Sequence, residues 1–242
     1  MRVAVKLGLG VLWLAASVSL ASATELSQAS PDLVALRSAQ ARQLESARLH
    51  PERYADQLAA AEAFLRGADR LRNERKIRSD MPEDQDGEYR ITQEAWANEA
   101  LPFAERALEL AADDAERAQA ERVIGELYAH KITGMISGMM NGPRARRHIG
   151  RALDLAPSDP DCQRAIGLMY LNNPPISGGD VPKAVETFAR CAAESSDERC
   201  LVLLAMSHRK AGSPGKAREA ALAALRRNAD SVEAQLLLTE LR

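Results

Sequence analysis

Aromatic side chains are scarce in this 242-residue chain: Phe, Tyr and Trp make up 4% of it. A core built from large rings is therefore excluded, and helices must instead approach closely on small side chains. No segment alternates apolar and polar residues at period two with β-branched enrichment, so no sheet is expected. The sequence carries no HExxH, GxSxG, P-loop or dinucleotide fingerprint, so it assigns no catalytic, cofactor or metal residue. Charge of one sign is also lacking; the formal net charge of −2 leaves no nucleic-acid footprint. The three cysteines include no CxxC pair, which disfavours a thioredoxin-like redox site. What is abundant is Ala, Leu, Arg and Glu, the strong helix formers.

The N-terminus reads as a targeting signal. Arg2 and Lys6 precede an apolar stretch from Leu7 to Leu20, and Ala21-Ser22-Ala23 offers small residues for cleavage. A run of about 14 residues is short of the about 20 that a bilayer span needs. Cleavage after Ala23 and export to the periplasm are expected, with a retained anchor as the alternative. Loss of Arg2 and Lys6 would lower the formal charge from −2 to −4. No later apolar run is long enough to span a membrane. Export places Cys162, Cys191 and Cys200 where a disulfide persists.

Helix starts and stops punctuate the remainder. Ser30-Pro31-Asp32 reads as an N-cap with Pro at N1. Tyr54, Leu58, Ala61, Leu65 and Ala68 recur on one helical face, and Trp96, Ala100, Phe103, Ala107 and Leu110 on another. Between them, Arg70 to Arg78 and Pro82 to Glu88 form basic and acidic runs expected to be a solvated loop. Pro102 is expected to kink its helix or mark its start. Asp113 or Asp114, Asp180, Ser213 and Ser231 stand at further helix starts, and Gly142-Pro143 reads as another. The chain divides on this reading into a signal (1–23), an N-terminal helical section with a charged loop (24–90) and a repeat region (91–242).

The repeat is the strongest signal. Ile124-Gly125-x-x-Tyr128 is followed by Ala145, Ile149, Ala152 and Pro157. Ile166-Gly167-x-x-Tyr170 is followed by Ala184, Phe188 and Cys191, and Leu204-Ala205-x-x-His208 by Ala217, Ala221 and Ala224. Ala100, Ala104 and Ala107 suggest an earlier degenerate copy. Gly125, Gly167 and Ala205 fall where paired helices approach most closely, so bulk there is excluded. The pattern resembles tetratricopeptide (TPR) repeats, which implies an all-α fold of antiparallel helical hairpins in a curved array, with an extra N-terminal helical section. Spacings of 42 and 38 residues exceed the usual figure of about 34. The excess falls at Lys131 to Gly142 and at Asn172 to Gly179. The turn Asn172-Asn173-Pro174-Pro175-Ile176-Ser177-Gly178-Gly179-Asp180 is similar to that of exported bacterial TPR-like proteins, among them the T components of TRAP transporters and helical-repeat accessories of periplasmic lipid or sterol transport. Gly-Gly-Asp also reads simply as a turn and an N-cap.

Two candidate surfaces follow. The resemblance places Arg122, Glu126 and His130, then Arg164, Leu168 and Asn172, then Val202, Met206 and Lys210, on the concave groove. Solvated helix faces are the plain alternative. The second candidate is the apolar, Gly-rich stretch from Lys131 to Gly142, with Met135, Ile136, Met139 and Met140. It lines or lids a cavity for an apolar ligand, with Tyr128, Leu168, Tyr170 and Ile176 nearby, or else folds back as core. A Cu(I) site using its methionines with His130 and His148 lacks regular spacing. Arg144, Arg146, Arg147 and His148 form a basic cluster suited to anionic headgroups, an acidic partner or plain solvation. Cys191 and Cys200 end and begin adjacent helices, so a disulfide is geometrically open to them; Cys162 competes for Cys191, and three free thiols are the alternative. The expected function is a periplasmic transport accessory holding a small apolar ligand of the lipid or sterol class, or docking a solute-binding partner. The alternative is a protein- or peptide-binding scaffold that uses the concave groove.

Overall fold

The computed structural model describes residues 31–242, and the expected signal (1–23) lies outside the described residues. Ten α-helices follow in order: α1 (Pro31–Leu49), α2 (Tyr54–Ile77), α3 (Glu83–Leu110), α4 (Asp114–His130), α5 (Met135–Leu155), α6 (Pro160–Asn172), α7 (Val181–Glu194), α8 (Arg199–Lys210), α9 (Pro214–Arg227) and α10 (Val232–Glu240). Caps set several starts. The Asp113 carboxylate accepts from the Glu116 amide, Asp159 from Cys162 and Asp180 from Lys183, at 2.8–3.0 Å. Pro160 and Pro214 occupy first-turn positions, where no backbone donor is needed.

Hairpins α2–α3, α4–α5, α6–α7 and α8–α9 pack as pairs, as the repeat pattern predicts. Small residues carry their closest approaches. A Cβ on Gly125 would stand 2.6 Å from Ile149 Cγ1, and one on Gly167 would stand 2.7 Å from the Phe188 ring. Ala205 is wholly buried. The α2–α3 pair uses the same device, because a Cβ on Gly67 would meet the Trp96 ring at 2.7 Å. That pair is therefore built like the repeats that follow it, and the division at residue 90 falls inside α3.

Three local expectations need correction. The basic run from Arg70 to Arg78 is not a solvated loop. It lies almost wholly in α2, with Arg70 buried, and the acidic run after Pro82 forms the first turns of α3. Those acids lie at a helix N-terminus, where negative charge is favoured. Pro102 sits within α3, which runs on through it with Pro102 on the exposed side. The insertion from Lys131 to Gly142 is not a loop either: α5 begins at Met135 rather than at Gly142. The Ser137 hydroxyl accepts from the amides of Thr133 and Gly134 at 3.0 and 2.9 Å, which satisfies donors at that helix start.

The array closes on itself. The inner helices α2, α4, α6, α8 and α10 touch in a cycle, because α2 packs against both α4 and α10. Tyr54 Oη donates to the Glu116 carbonyl at one end of α2 (2.8 Å). At the other end, Ile77 enters a core cluster with Leu168, Leu171, Val202 and Met206. Arg209 donates to the carbonyls of Lys76 and Ile77, and the Ser79 hydroxyl donates to Glu240 at 2.6 Å.

Candidate functional site

The residues expected on the concave groove do lie on the inner helices, but α2 covers them. Arg122, Glu126, His130 and Arg164 are all buried. Glu126 receives Arg122 at 2.9 Å and Arg164 through two bonds at 2.9 and 3.0 Å. From α2, Glu62 pairs with Arg122, while Asp69 faces His130 at 2.9 Å and Arg164 at 3.6 Å. Arg72 meets Asp69 at 2.8 Å. Val202 and Met206 are core residues packed with Ile77. Lys210 donates to the Leu171 carbonyl, and Asn172 is partly exposed. An open peptide groove is thus replaced by a buried ionic network between α2 and the repeats. The reason is complementarity: Glu62 and Asp69 of α2 answer Arg122 and Arg164 of the groove, and buried charges persist only when paired.

Burial and charge set the protonation states of this network. Although burial opposes it, Arg72, the His130 hydrogen bond and Arg164 hold the Asp69 carboxyl far below the usual carboxylate range. Burial outweighs the Asp69 hydrogen bond and pushes His130 below the ordinary histidine value, so it is neutral at pH 7. An Asp–His pair at a cleft invites a catalytic reading. Asp69, however, is consumed by cations, and the described bonds of His130 run only to Asp69 and Arg72, with no hydroxyl or thiol. Among the described residues, no group of three His, Cys, Asp or Glu side chains is placed to hold a metal ion.

The apolar stretch behaves differently. Met135, Ile136, Met139 and Met140 stand 82, 77, 72 and 61% exposed, so they are not core. They fall at i, i+1, i+4 and i+5 on the outer face of α5, while Asn141, Ala145, Ile149 and Ala152 take the inner face. Met135 and Met139 share a cleft of about 840 Å³ with Ile176, which is 96% exposed on the loop between α6 and α7. Pro143, Met169 and Pro174 complete much of the lining. Gly178 has φ +87°, a conformation that favours glycine, and a Cβ on Gly179 would collide with the Asn173 carbonyl. These glycines, with Arg146 donating to the Ser177 carbonyl at 2.5 Å, hold Ile176 over the cleft.

Of the other residues expected near an apolar ligand, Leu168 lines a neighbouring cleft, and Ile136 and Met140 lie beside the apolar cleft without lining it. Tyr128 and Tyr170 lie outside both. Tyr128 stacks on His148 at 5.8 Å, with Lys131 and Arg144 each 5.5 Å from its ring centre. The charged residues that line the apolar cleft are Arg146 and Arg147, with no acidic residue among the lining, so its rim is basic. Cys191 and Cys200 are joined, with Cα atoms 5.8 Å apart, and Cys162 is a buried free thiol.

Sequence reasoning missed the neighbouring cleft, of about 230 Å³, between α2 and α3 on one side and α4 and α6 on the other. Arg72, Arg75, Lys76, Arg90 and the buried Gln93 line it. One wall of it consists of groove positions the repeat pattern does mark, Glu126, His130, Leu168 and Asn172; the wall from α2 and α3 has no signal beyond the charged run.

No protein-family model matches the chain, and no curated protein matches it in sequence. Among solved structures it is similar to YrrB, described as a TPR protein with an unusual peptide-binding site (15% identity, 88% of this chain and 86% of that one, TM-score 0.42). It is also similar to TTC0263, a thermophilic TPR protein of Thermus thermophilus (16% identity, 82% of this chain and 98% of that one, TM-score 0.51). The fold is therefore all-α and TPR-like, a succession of helical hairpins.

Proposed function

We propose that this chain is a binding scaffold rather than a catalyst, and that it recognises its partner through the apolar cleft between the start of α5 and the α6–α7 loop. One observation carries the reading. Of the ten large apolar side chains exposed among the described residues, six gather here: Ile132, Met135, Ile136, Met139, Met140 and Ile176. Contiguous exposed apolar surface with a polar rim marks an interaction site. Methionine side chains adapt to irregular apolar partners. The basic rim favours a protein segment with apolar anchors and acidic flanks. The concave face is not the proposed surface, because α2 already occupies it.

A second reading keeps the cleft and changes the occupant to a small apolar molecule of the lipid or sterol class, handed on within a transport system. The cleft of about 840 Å³ favours it, since small-molecule sites run to roughly 300–1,000 Å³. Export to the periplasm is part of the proposal; the signal-like N-terminus and the Cys191–Cys200 bond support it.

The test is selection of displayed peptides on the full chain, with retesting against Met139→Asp and Ile176→Asp. At least tenfold weaker binding to both variants is expected. Selected peptides that bind both variants as well as the parent would sink the reading. Native mass spectrometry covers the second occupant: a lipid-sized adduct present on the parent and missing from both variants would favour it over a protein segment.

A further inference from the structure

The two clefts share a wall. Ala129, Ile132, Met169 and Asn173 line both, so the apolar cleft and the smaller one adjoin along these four residues. The apolar side of the smaller cleft continues with Ile149 and Leu168. Its opposite side is cationic, with Arg72, Arg75 and Lys76 from α2 and Arg90 from α3.

The carboxylates around this end are already engaged. Asp86 serves both Arg75 at 2.6 Å and Arg90 at 2.8 Å. Asp69 is shared by Arg72, His130 and Arg164. Glu126, also in the lining, is held by Arg122 and Arg164. Among the described residues no carboxylate pairs with Lys76. Partial desolvation first, and then the neighbouring Arg75, Lys210, Arg72 and Arg90, hold its ammonium below the ordinary lysine value.

Gln93 adds a second, independent observation. It is 5% exposed, it lines this cleft, and its Nε2 is buried with no hydrogen-bond partner. An amide nitrogen donates two hydrogen bonds, and a buried donor without an acceptor is unfavourable by about 1–3 kcal/mol. Lys76, the guanidinium groups and Gln93 Nε2 can only donate. What this end of the trough lacks is an acceptor carrying negative charge, and what its other end lacks is apolar cover.

We propose that the two adjoining clefts bind an amphiphilic carboxylate, with its head among Lys76, Arg90 and Gln93 and its hydrocarbon body along Ile132 and Met169 toward Met139 and Ile176. A carboxylate suits the site better than a phosphate. Its planar pair of oxygens matches guanidinium and amide donors. The apolar wall facing the cations makes the desolvation of a doubly charged group more costly than that of a singly charged one. The proposal uses the apolar cleft of the function proposed above but does not require that the partner be a protein.

Octanoate and 1-octanol, titrated by calorimetry into the full chain, separate head from tail. Octanoate is expected to bind at least tenfold more tightly than 1-octanol, and Lys76→Gln and Gln93→Leu are each expected to remove most of that difference while leaving 1-octanol unchanged. Met139→Asp should weaken both probes. Lys76 is exposed, so its variant folds even if Gln93→Leu does not. Equal affinity for the two probes, or octanoate binding indifferent to Lys76→Gln, would overturn the carboxylate site while leaving the apolar cleft as a recognition surface. Binding of neither probe, alongside selected peptides that lose affinity in Met139→Asp, would also overturn it and leave the scaffold function standing. Failure of those peptides as well would remove both.

Discussion

Replacing Glu126 by alanine separates a closed concave face from an open one. Glu126 is 3% exposed in its side chain, and it compensates Arg122 and Arg164, themselves 2 and 4% exposed. In an open groove these three groups would meet water, and an exposed ion pair contributes about 0–1 kcal/mol. With α2 in place, Glu126→Ala leaves two buried guanidinium groups short of a counter-charge. Glu62 remains for Arg122 and Asp69 for Arg164. Removing one partner of such a buried pair destabilises by about 3–5 kcal/mol. For a chain of this size that lowers the melting temperature by roughly 6–20 °C. Urea unfolding followed by far-UV circular dichroism reads the change directly, and the slope of free energy against urea reports whether the denatured state changed as well. The double replacement Glu126→Leu with Arg164→Met should recover part of the loss, because an apolar substitute removes the unpaired charge. A loss below about 1 kcal/mol for Glu126→Ala would refute the buried network.

Acid should act on the same network in two steps. His130 has a lowered folded-state pKa, so protonation favours the unfolded chain, and stability should begin to fall as pH drops below the unfolded histidine value of about 6.5. Asp69 is depressed too; its contribution is present above the unfolded value of about 3.9 and should be lost progressively below it. Urea midpoints measured from pH 7 to 3 should show both steps, and His130→Gln should flatten the first; an unchanged first step would point to another group. Gly167→Ala drives a Cβ into the buried Phe188 ring, so about 1–3 kcal/mol of destabilisation is expected from overpacking, and a neutral result by thermal unfolding would contradict the close approach. The Cys191–Cys200 bond spans 9 positions and ties α7 to α8; its loop-closure contribution is about 2–3 kcal/mol, so Cys191→Ser with Cys200→Ser should lower the urea midpoint accordingly. Burial pushes the Cys162 thiol up to about 12, so iodoacetamide should label none of the cysteines in the folded oxidised chain and Cys162 alone after denaturation without reductant.

The sequence was most informative where chemistry is local. Gly125, Gly167 and Ala205 announce helix contacts because only small residues fit there, and Asp113, Asp159 and Asp180 announce helix starts because their carboxylates reach amides three residues on. The start of α5 was misread because Gly134, Gly138, Gly142 and Pro143 all argue against a helix; the inner stripe Asn141, Ala145, Ile149 and Ala152 packs nevertheless, and tertiary contact overrides propensity. The exposure of Met135 and Ile136 depends on what lies opposite them, which no local pattern records.

Long-range pairing was the least legible part. The charged run of α2 has the composition of a solvated segment, yet just before it Asp69 finds Arg164 and just past the helix Ser79 finds Glu240, some 95 and 161 positions away. Repeat positions such as Arg122 and Glu126 are buried, and nothing local shows that another helix of the same chain covers them. The role of Gln93 has no sequence signature at all: an unpartnered buried amide is visible only once its neighbours are in place.

Hydrogen exchange along α2 in the full chain bears most directly on the central claim that this helix fills the concave face and leaves recognition to the apolar cleft. Amides from Gln57 to Ile77 are predicted to exchange only through global unfolding, with protection equal to that of α4, α6 and α8. Exchange of α2 at the rate of a frayed helix, while those three helices stay protected, would show that the groove stands open and would contradict it.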